Sequence, residues 1–285
     1  MITETNKEQI RERLTDYSAR FGSQNKAANS LRGVSSATVS QIINSNWELV
    51  SEEMWRNIGT QIGWSEHEWV AVETRDYKVL TSILTDAQKH SNVFAITGES
   101  GSGKSFVMRR FMESNKRVYL LQCAEYWNRK VFLSELLNAI GRDASGLSVP
   151  EMMAEAVRGL KVQDRPLLIL DEADKLSDQV LYFFITLYNQ LEDRCGIVLC
   201  ATDHLSKRIY RGLKRNTKGY KEIYSRIARK FIELNGVGSG DITQICIANG
   251  ISDRSVIKQI LEDSECDLRR VRRKIHAINL SSTTN

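Results

Sequence analysis

Only two prolines, Pro150 and Pro166, interrupt the 285 residues, so nearly all of the chain is free to be helical. No apolar run approaches the roughly 20 residues needed to cross a bilayer, and no membrane partner is expected. The opening stretch MITETNKEQIRERL is polar and amphipathic, so no secretory leader is expected there. The five cysteines (Cys123, Cys195, Cys200, Cys246 and Cys266) show no C-x-x-C spacing. Buried free thiols in a reducing cytosol are the simplest reading, so a cytoplasmic protein is expected. Repeats and low-complexity segments are absent. The net charge of +5 permits a nucleic-acid partner without demanding one.

What is present is a globular composition, 41% hydrophobic and 26% charged, on a chain long enough for two domains. The stretch GESGSGKS, Gly98 to Ser105, meets the pattern G-x-x-x-x-G-K-[ST]. Such a match has weight only with a strand before it and a helix after it. NVFAIT, Asn92 to Thr97, is short, apolar and β-prone, and SFVMRRFMES carries Phe106, Val107, Phe111 and Met112 at helical spacing. Gly98, Gly101 and Gly103 let backbone N–H groups turn inward around phosphate oxygens, with Glu99, Ser100 and Ser102 between them. Lys104 would reach the β- and γ-phosphates of ATP, Ser105 would ligate Mg2+, and Phe106 opens the helix beside the nucleotide.

A second motif lies about seventy residues on. RPLLILDEADKL contains four consecutive large apolar residues, Leu167 to Leu170, suited to a strand buried on both faces. Asp171 and Glu172 at its end are placed to hold Mg2+ and to polarise an attacking water. RVYLLQC, GIVLCAT and KFIEL read as further strands, separated by amphipathic helices such as KVFLSELLNAIG and VLYFFITLYNQLE. Strands alternating with helices imply a parallel sheet in an α/β core.

The N-terminal part reads differently. Gln24 to Trp47 holds a short helix with Ala27, Ala28 and Leu31 inward, a turn at Gly33, and a second helix with Val39, Ile42 and Ile43 inward. Ser35 or Ser36 caps the second helix, and a further helix begins at Ser51. The spacing resembles the helix-turn-helix of phage repressors, which would turn Ser36, Thr38 and Gln41 toward DNA. A helical bundle for protein contacts is the other reading. Residues 1–80 carry nine Lys/Arg against eleven Asp/Glu, so this region is no broad cationic surface.

The order of parts is helix-turn-helix, GESGSGKS, LLILDEAD, a strand ending CATDH, then YSRIARK and a short helical tail. It resembles the phage Mu B-like AAA+ transposition ATPases, relatives of the IstB-type and DnaC-type ATPases, from about Gln24 to Leu280. The resemblance implies a helix-turn-helix domain over 1–62, a linker over 63–80, an AAA+ core over 81–236 and a helical lid over 237–285. It implies ATP and Mg2+ as cofactors, and double-stranded DNA and a transposase as partners. It also implies a homo-oligomer, filament or ring, in which Arg226 of YSRIARK acts on a neighbour's nucleotide, Arg229 being a second candidate. Thr202 matches sensor 1, and Arg269 or the adjacent Arg270 matches sensor 2. A helicase loader, or a helix-turn-helix regulator with a structural nucleotide, is the alternative.

Two basic stretches are candidates for DNA. From His204 to Lys221 there is no acid, and Lys207, Arg208, Arg211, Lys214 and Arg215 could track phosphates. A solvated loop or a subunit interface fits the same pattern. In AEYWNRKVF, Arg129 and Lys130 match positions that line a central channel in the relatives, and Trp127 packs on DNA or on the protein.

Overall fold

The computed structural model describes residues 2–64 and 69–283. The chain divides into two compact units, Met1–Val70 and Ala71–Asn285.

The first unit is all-helical: α1 (Glu4–Phe21), α2 (Gln24–Ser30), α3 (Ser36–Ile43) and α4 (Glu52–Gln61). Four hydroxyls start these helices. Thr3, Ser23, Ser35 and Ser51 each accept the backbone N–H three residues ahead, a cap worth about 1 kcal/mol. Gly33, at φ 71°, turns the chain between α2 and α3 in a conformation other residues resist. Ala28, Leu31, Val39 and Ile42 close on Ile10 and Leu14 of α1 and on Trp55 and Ile58 of α4. The polar N-terminal stretch is therefore a structural wall of this bundle.

The second unit is α/β. It runs α5 (Arg75–His90), β1 (Val93–Thr97), α6 (Lys104–Ser114), β2 (Val118–Gln122), α7 (Arg129–Ala139), α8 (Val149–Lys161) and β3 (Leu167–Asp171). A 3-10 turn (Ala173–Lys175) follows, then α9 (Asp178–Leu181), α10 (Phe183–Leu191), β4 (Gly196–Ala201), α11 (Asp203–Lys214) and α12 (Tyr220–Arg226). The chain ends with β5 (Ile232–Glu233), α13 (Ser239–Ala248), α14 (Arg254–Ser264) and α15 (Leu268–Thr283). The five strands are parallel, in the order β2-β3-β4-β1-β5.

The two-residue period of the central strands sorts their side chains between two cores. Leu168, Leu170, Ile197 and Leu199 face α7, α8 and α10 with Phe132, Leu136, Met152 and Phe184. Leu167, Ile169, Val198 and Cys200 face α5 and α6 with Leu80, Leu84, Met108 and Phe111. Helix α5 starts at Arg75, inside the stretch 63–80 expected to be a linker; residues 65–68 of that stretch lie outside the described residues. Asp76 ties α5 down by accepting the N–H groups of Gly236 (2.8 Å) and Asn235 (3.3 Å), just after β5. Gly196 admits α5 closely, since a Cβ there would lie 2.3 Å from the Ala87 carbonyl oxygen. Register pairs Gln122 with Asp171 and Thr97 with Ala201, so four strands end on one edge of the sheet. Ligand sites of open α/β sheets form at such carboxyl edges.

Among the described residues no helix is long and apolar enough to cross a membrane. Cys123, Cys195, Cys200 and Cys246 are buried and free, and Cys266 is exposed and free. Burial pushes the Cys195 thiol up to about 12.

Candidate nucleotide site

The glycine loop joins β1 to α6 at the carboxyl edge. Gly101 (φ 78°) and Gly103 (φ 93°) are left-handed, which winds the loop around the N-terminus of α6. Lys104 spans the loop: its Nζ donates to the carbonyls of Gly98 (2.8 Å) and Glu99 (2.7 Å). Ser102 Oγ donates to Glu99 O at 2.9 Å, bracing the turn. Phe106 is exposed on the first turn of α6. The first N–H groups of α6 and the ammonium of Lys104 therefore converge at one end of the helix, where anions are favoured.

Ser105 Oγ donates to Asp171 Oδ2 at 2.6 Å, and the Glu172 N–H donates to Oδ1 at 2.9 Å. Asp171 is only 2% exposed. Burial raises its carboxyl above the ordinary aspartate range, against the pull of Ser105 and the Glu172 amide. A hydroxyl and a desolvated carboxylate in contact are two hard oxygen donors beside a phosphate cradle, and they fit Mg2+. Glu172 is half-buried, with φ 55° and ψ 38°, and its Oε2 accepts from Lys175 Nζ at 2.9 Å. Thr202 caps α11 and donates through Oγ1 to Asp174 Oδ2 at 2.8 Å. Asp174 and Lys175 lie inside the DEADK run, yet the sequence reading assigned roles to Asp171 and Glu172 alone.

The lid reaches the loop at the start of α15. Leu268 N–H donates to Gly101 O at 2.9 Å, and Arg269 Nη1 donates to Ser100 Oγ at 3.3 Å. Arg270 turns instead to Glu265, at 2.7 Å. Of the two neighbouring arginines, Arg269 is thus the one beside the phosphate loop. The Asp267 carboxylate caps α15 and fills the space above Gly101, where a Cβ would meet it at 2.4–2.6 Å.

Arg226 is held within its own unit. It donates to Asn189 Oδ1 (2.7 and 3.0 Å), stacks 5.4 Å from the Tyr188 ring centroid and pairs with Glu222 at 3.6 Å. Arg229 differs: it is exposed, follows Ala228 in a second left-handed conformation (φ 55° and 58°), and makes no side-chain hydrogen bond or ion pair among the described residues.

The basic stretches split in the same manner. Helix α11 buries Leu205, Ile209 and Gly212 and exposes Lys207, Arg211 and Lys214, with Arg215 exposed at its C-cap. Arg208 is turned inward. Its guanidinium binds Asp178, donates to Leu176 O at 2.6 Å and reaches the Tyr220 hydroxyl at 3.1 Å. Tyr220 is buried, and Tyr210 packs edge-on against Tyr224 and Phe231. After β2, Trp127 is buried against Phe132, while Tyr126, Arg129 and Lys130 are exposed. In the first unit Ser36 is exposed, Gln41 is half-buried, and Thr38 shares a 2.8 Å hydrogen bond with the cap hydroxyl of Ser35.

A parallel sheet with this loop, this carboxylate pair and a C-terminal set of helices fits an AAA+ P-loop core. The AAA domain family matches residues 87–209. The chain is 26% identical over 165 residues to the Mu-like prophage FluMu DNA transposition protein B of Haemophilus influenzae, across 55% of this chain and 54% of that protein. It thus spans about half the length of the curated relative it matches, and its resemblance is to AAA+ proteins of the Mu B type.

Proposed function

We propose that the chain is an ATP-hydrolysing AAA+ protein of DNA transposition. With ATP and Mg2+ it oligomerises on double-stranded DNA as a filament or ring and delivers that DNA to a transposase, and hydrolysis drives disassembly. The observation that carries the nucleotide part is the 2.6 Å contact of Ser105 with Asp171 at the mouth of the glycine loop. The likeness to a transposition protein B supports the DNA and transposase parts.

Each residue has a task. Gly98 to Gly103 and the first turn of α6 hold the phosphates, and Lys104 leaves the loop carbonyls for the β- and γ-phosphate oxygens. Bound Mg2+ would neutralise charge on the transferred phosphoryl group. Ser105 and Asp171 hold the metal; Glu172 orients water; Thr202, anchored on Asp174, fixes the wall opposite. Arg269 closes the lid side. An arginine of the Ser225–Lys230 stretch completes a neighbour's site, which links nucleotide state to assembly. For DNA, the exposed Arg129, Lys130, Lys207, Arg211, Lys214 and Arg215 bind phosphates, and Ser36 and Gln41 of α3 add contacts from the first unit. Arg208 is committed to Asp178 and serves the fold instead.

The test is binding to a long double-stranded DNA at moderate salt with ATP, ADP or no nucleotide, for the wild type and Lys104→Ala. Binding and multimer growth that need ATP and vanish in the variant support the proposal. Equal binding by both proteins in every nucleotide state would make the first unit the DNA reader and sink the nucleotide-controlled mechanism.

A further inference from the structure

Helix α11 leads from the nucleotide site to α12. Its N-cap, Thr202, donates to Asp174 Oδ2 at 2.8 Å, in the turn that follows Asp171 and Glu172. Halfway along α11, Arg208 donates to Asp174 O of that turn at 3.4 Å and to Leu176 O just after it at 2.6 Å. Arg208 Nε also binds Asp178 Oδ1 at 3.0 Å, and the Tyr220 hydroxyl donates to that same oxygen at 2.8 Å. Burial works to raise the Asp178 carboxyl, yet the hydrogen bonds from Tyr220 and Arg208 hold it below the ordinary aspartate range. One carboxylate oxygen thus joins the start of α9, the middle of α11 and the first residue of α12.

Both ends of α12 are closely defined. At the start, Gly212 of α11 admits the Tyr220 ring, since a Cβ there would lie 2.4 Å from its Cγ. Gly219, left-handed at φ 86°, lies against the Tyr182 ring, whose hydroxyl donates to Lys218 O at 2.7 Å. At the far end Arg226 is the last helical residue, and the chain then folds back on the helix. Ile227 N–H donates to Ile223 O at 3.1 Å and Arg229 N–H to Tyr224 O at 2.9 Å. The backbones of Arg226 and Arg229 therefore go wherever α12 goes. The Tyr220 ring alone fills the space at Gly212, so burial does not need its hydroxyl. The hydroxyl adds direction, because it ties α12 to an oxygen that Arg208 already orders.

We propose that Tyr220 is a positioning residue: its hydrogen bond to the Arg208-held Asp178 carboxylate sets α12 so that the arginine stretch after it meets a neighbouring subunit's nucleotide. The proposal rests on the reading above that an arginine of Ser225–Lys230 completes a neighbour's site. Such an arginine acts on charge that develops in the transition state, so misplacing it lowers kcat and leaves ATP binding alone. The loss of one hydroxyl-to-carboxylate bond corresponds to roughly a three- to tenfold change in rate.

The experiment measures ATP turnover of the full chain on long double-stranded DNA at saturating ATP. Wild type and Tyr220→Phe are each assayed alone and in large excess of Glu172→Gln subunits, which supply intact arginines and no turnover of their own. Alone, Tyr220→Phe should be about three- to tenfold slower than the wild type, with ATP affinity and DNA binding unchanged. In the excess it should match wild type diluted in the same way, because its neighbours now donate the arginine. Wild type diluted into Glu172→Gln subunits that also carry Tyr220→Phe should slow by the same factor. A site damaged within its own subunit would stay slow in every mixture. An unchanged kcat in Tyr220→Phe overturns the proposal, as does a loss that intact neighbours do not restore. A wild type whose rate is untouched by Glu172→Gln subunits that also carry Arg226→Ala and Arg229→Ala overturns the donated arginine itself, and the role of Tyr220 with it.

Discussion

Gly101→Ala tests how the lid meets the phosphate loop. Two costs are separable. Gly101 sits at φ 78°, where a residue with a Cβ pays about 1–2 kcal/mol. The new methyl would also meet the Asp267 carboxylate at 2.4–2.6 Å, so the start of α15 must move. That movement breaks the Leu268 N–H to Gly101 O hydrogen bond and disturbs the Asp267 cap, each worth about 1 kcal/mol. The expected total is about 3–4 kcal/mol. For a unit of this size that lowers the melting temperature by roughly 6–15 °C. Asp267→Ala alone should cost about 1 kcal/mol, the loss of its cap. In that background the methyl has room, and Gly101→Ala should cost only the backbone term, about 1–2 kcal/mol. Equilibrium unfolding of the four nucleotide-free proteins, read on the transition of the second unit, gives the coupling directly. A value of about 2 kcal/mol is expected. Additive effects within about 0.5 kcal/mol would refute the placement of Asp267 over the loop.

Asp171→Asn should raise the melting temperature of the nucleotide-free chain at neutral pH, because it removes a carboxylate that burial disfavours, while removing Mg2+-dependent nucleotide binding. The folded pKa of Asp171 is raised, so the stability tied to its proton is complete below the ordinary aspartate value and is lost as pH rises through the raised one. The advantage of the variant should therefore shrink on acidification, and a constant difference across pH 4–8 would exclude this cause. Arg208→Ala removes the cation from Asp178 and the donor from Leu176 O, leaving the Tyr220–Asp178 hydrogen bond in place, and should cost about 1–3 kcal/mol in thermal unfolding with little effect on DNA binding by the folded protein. Lys214→Ala should do the reverse, weakening DNA binding and reducing its salt slope by about one. Arg226→Ala should lower stability through loss of Asn189 and Tyr188. Arg229→Ala should leave the melting temperature alone yet remove the rise of ATP turnover with protein concentration; an unchanged rise would exclude Arg229 as the residue offered to a neighbour.

The sequence by itself determined whatever depends on short-range geometry. Glycines at 101 and 103 specify a left-handed loop that other residues resist. Four apolar residues in a row at 167–170 specify a strand covered on both faces, and Ser35 or Ser36 and Ser51 mark helix starts. Ser105 and Asp171 were each singled out as candidates for Mg2+ because each stands at the end of a recognisable element, and the fold brings the two together at 2.6 Å. Only the tertiary structure decided the partners of the charged side chains. Arg208 and Lys214 are equivalent on paper, yet one turns in to Asp178 and the other meets water. Arg226 finds Asn189, and Arg269 finds Ser100 across 169 residues of sequence. Long polar side chains reach several ångströms in any direction, so their roles follow from what the fold brings opposite them, and no local spacing encodes that.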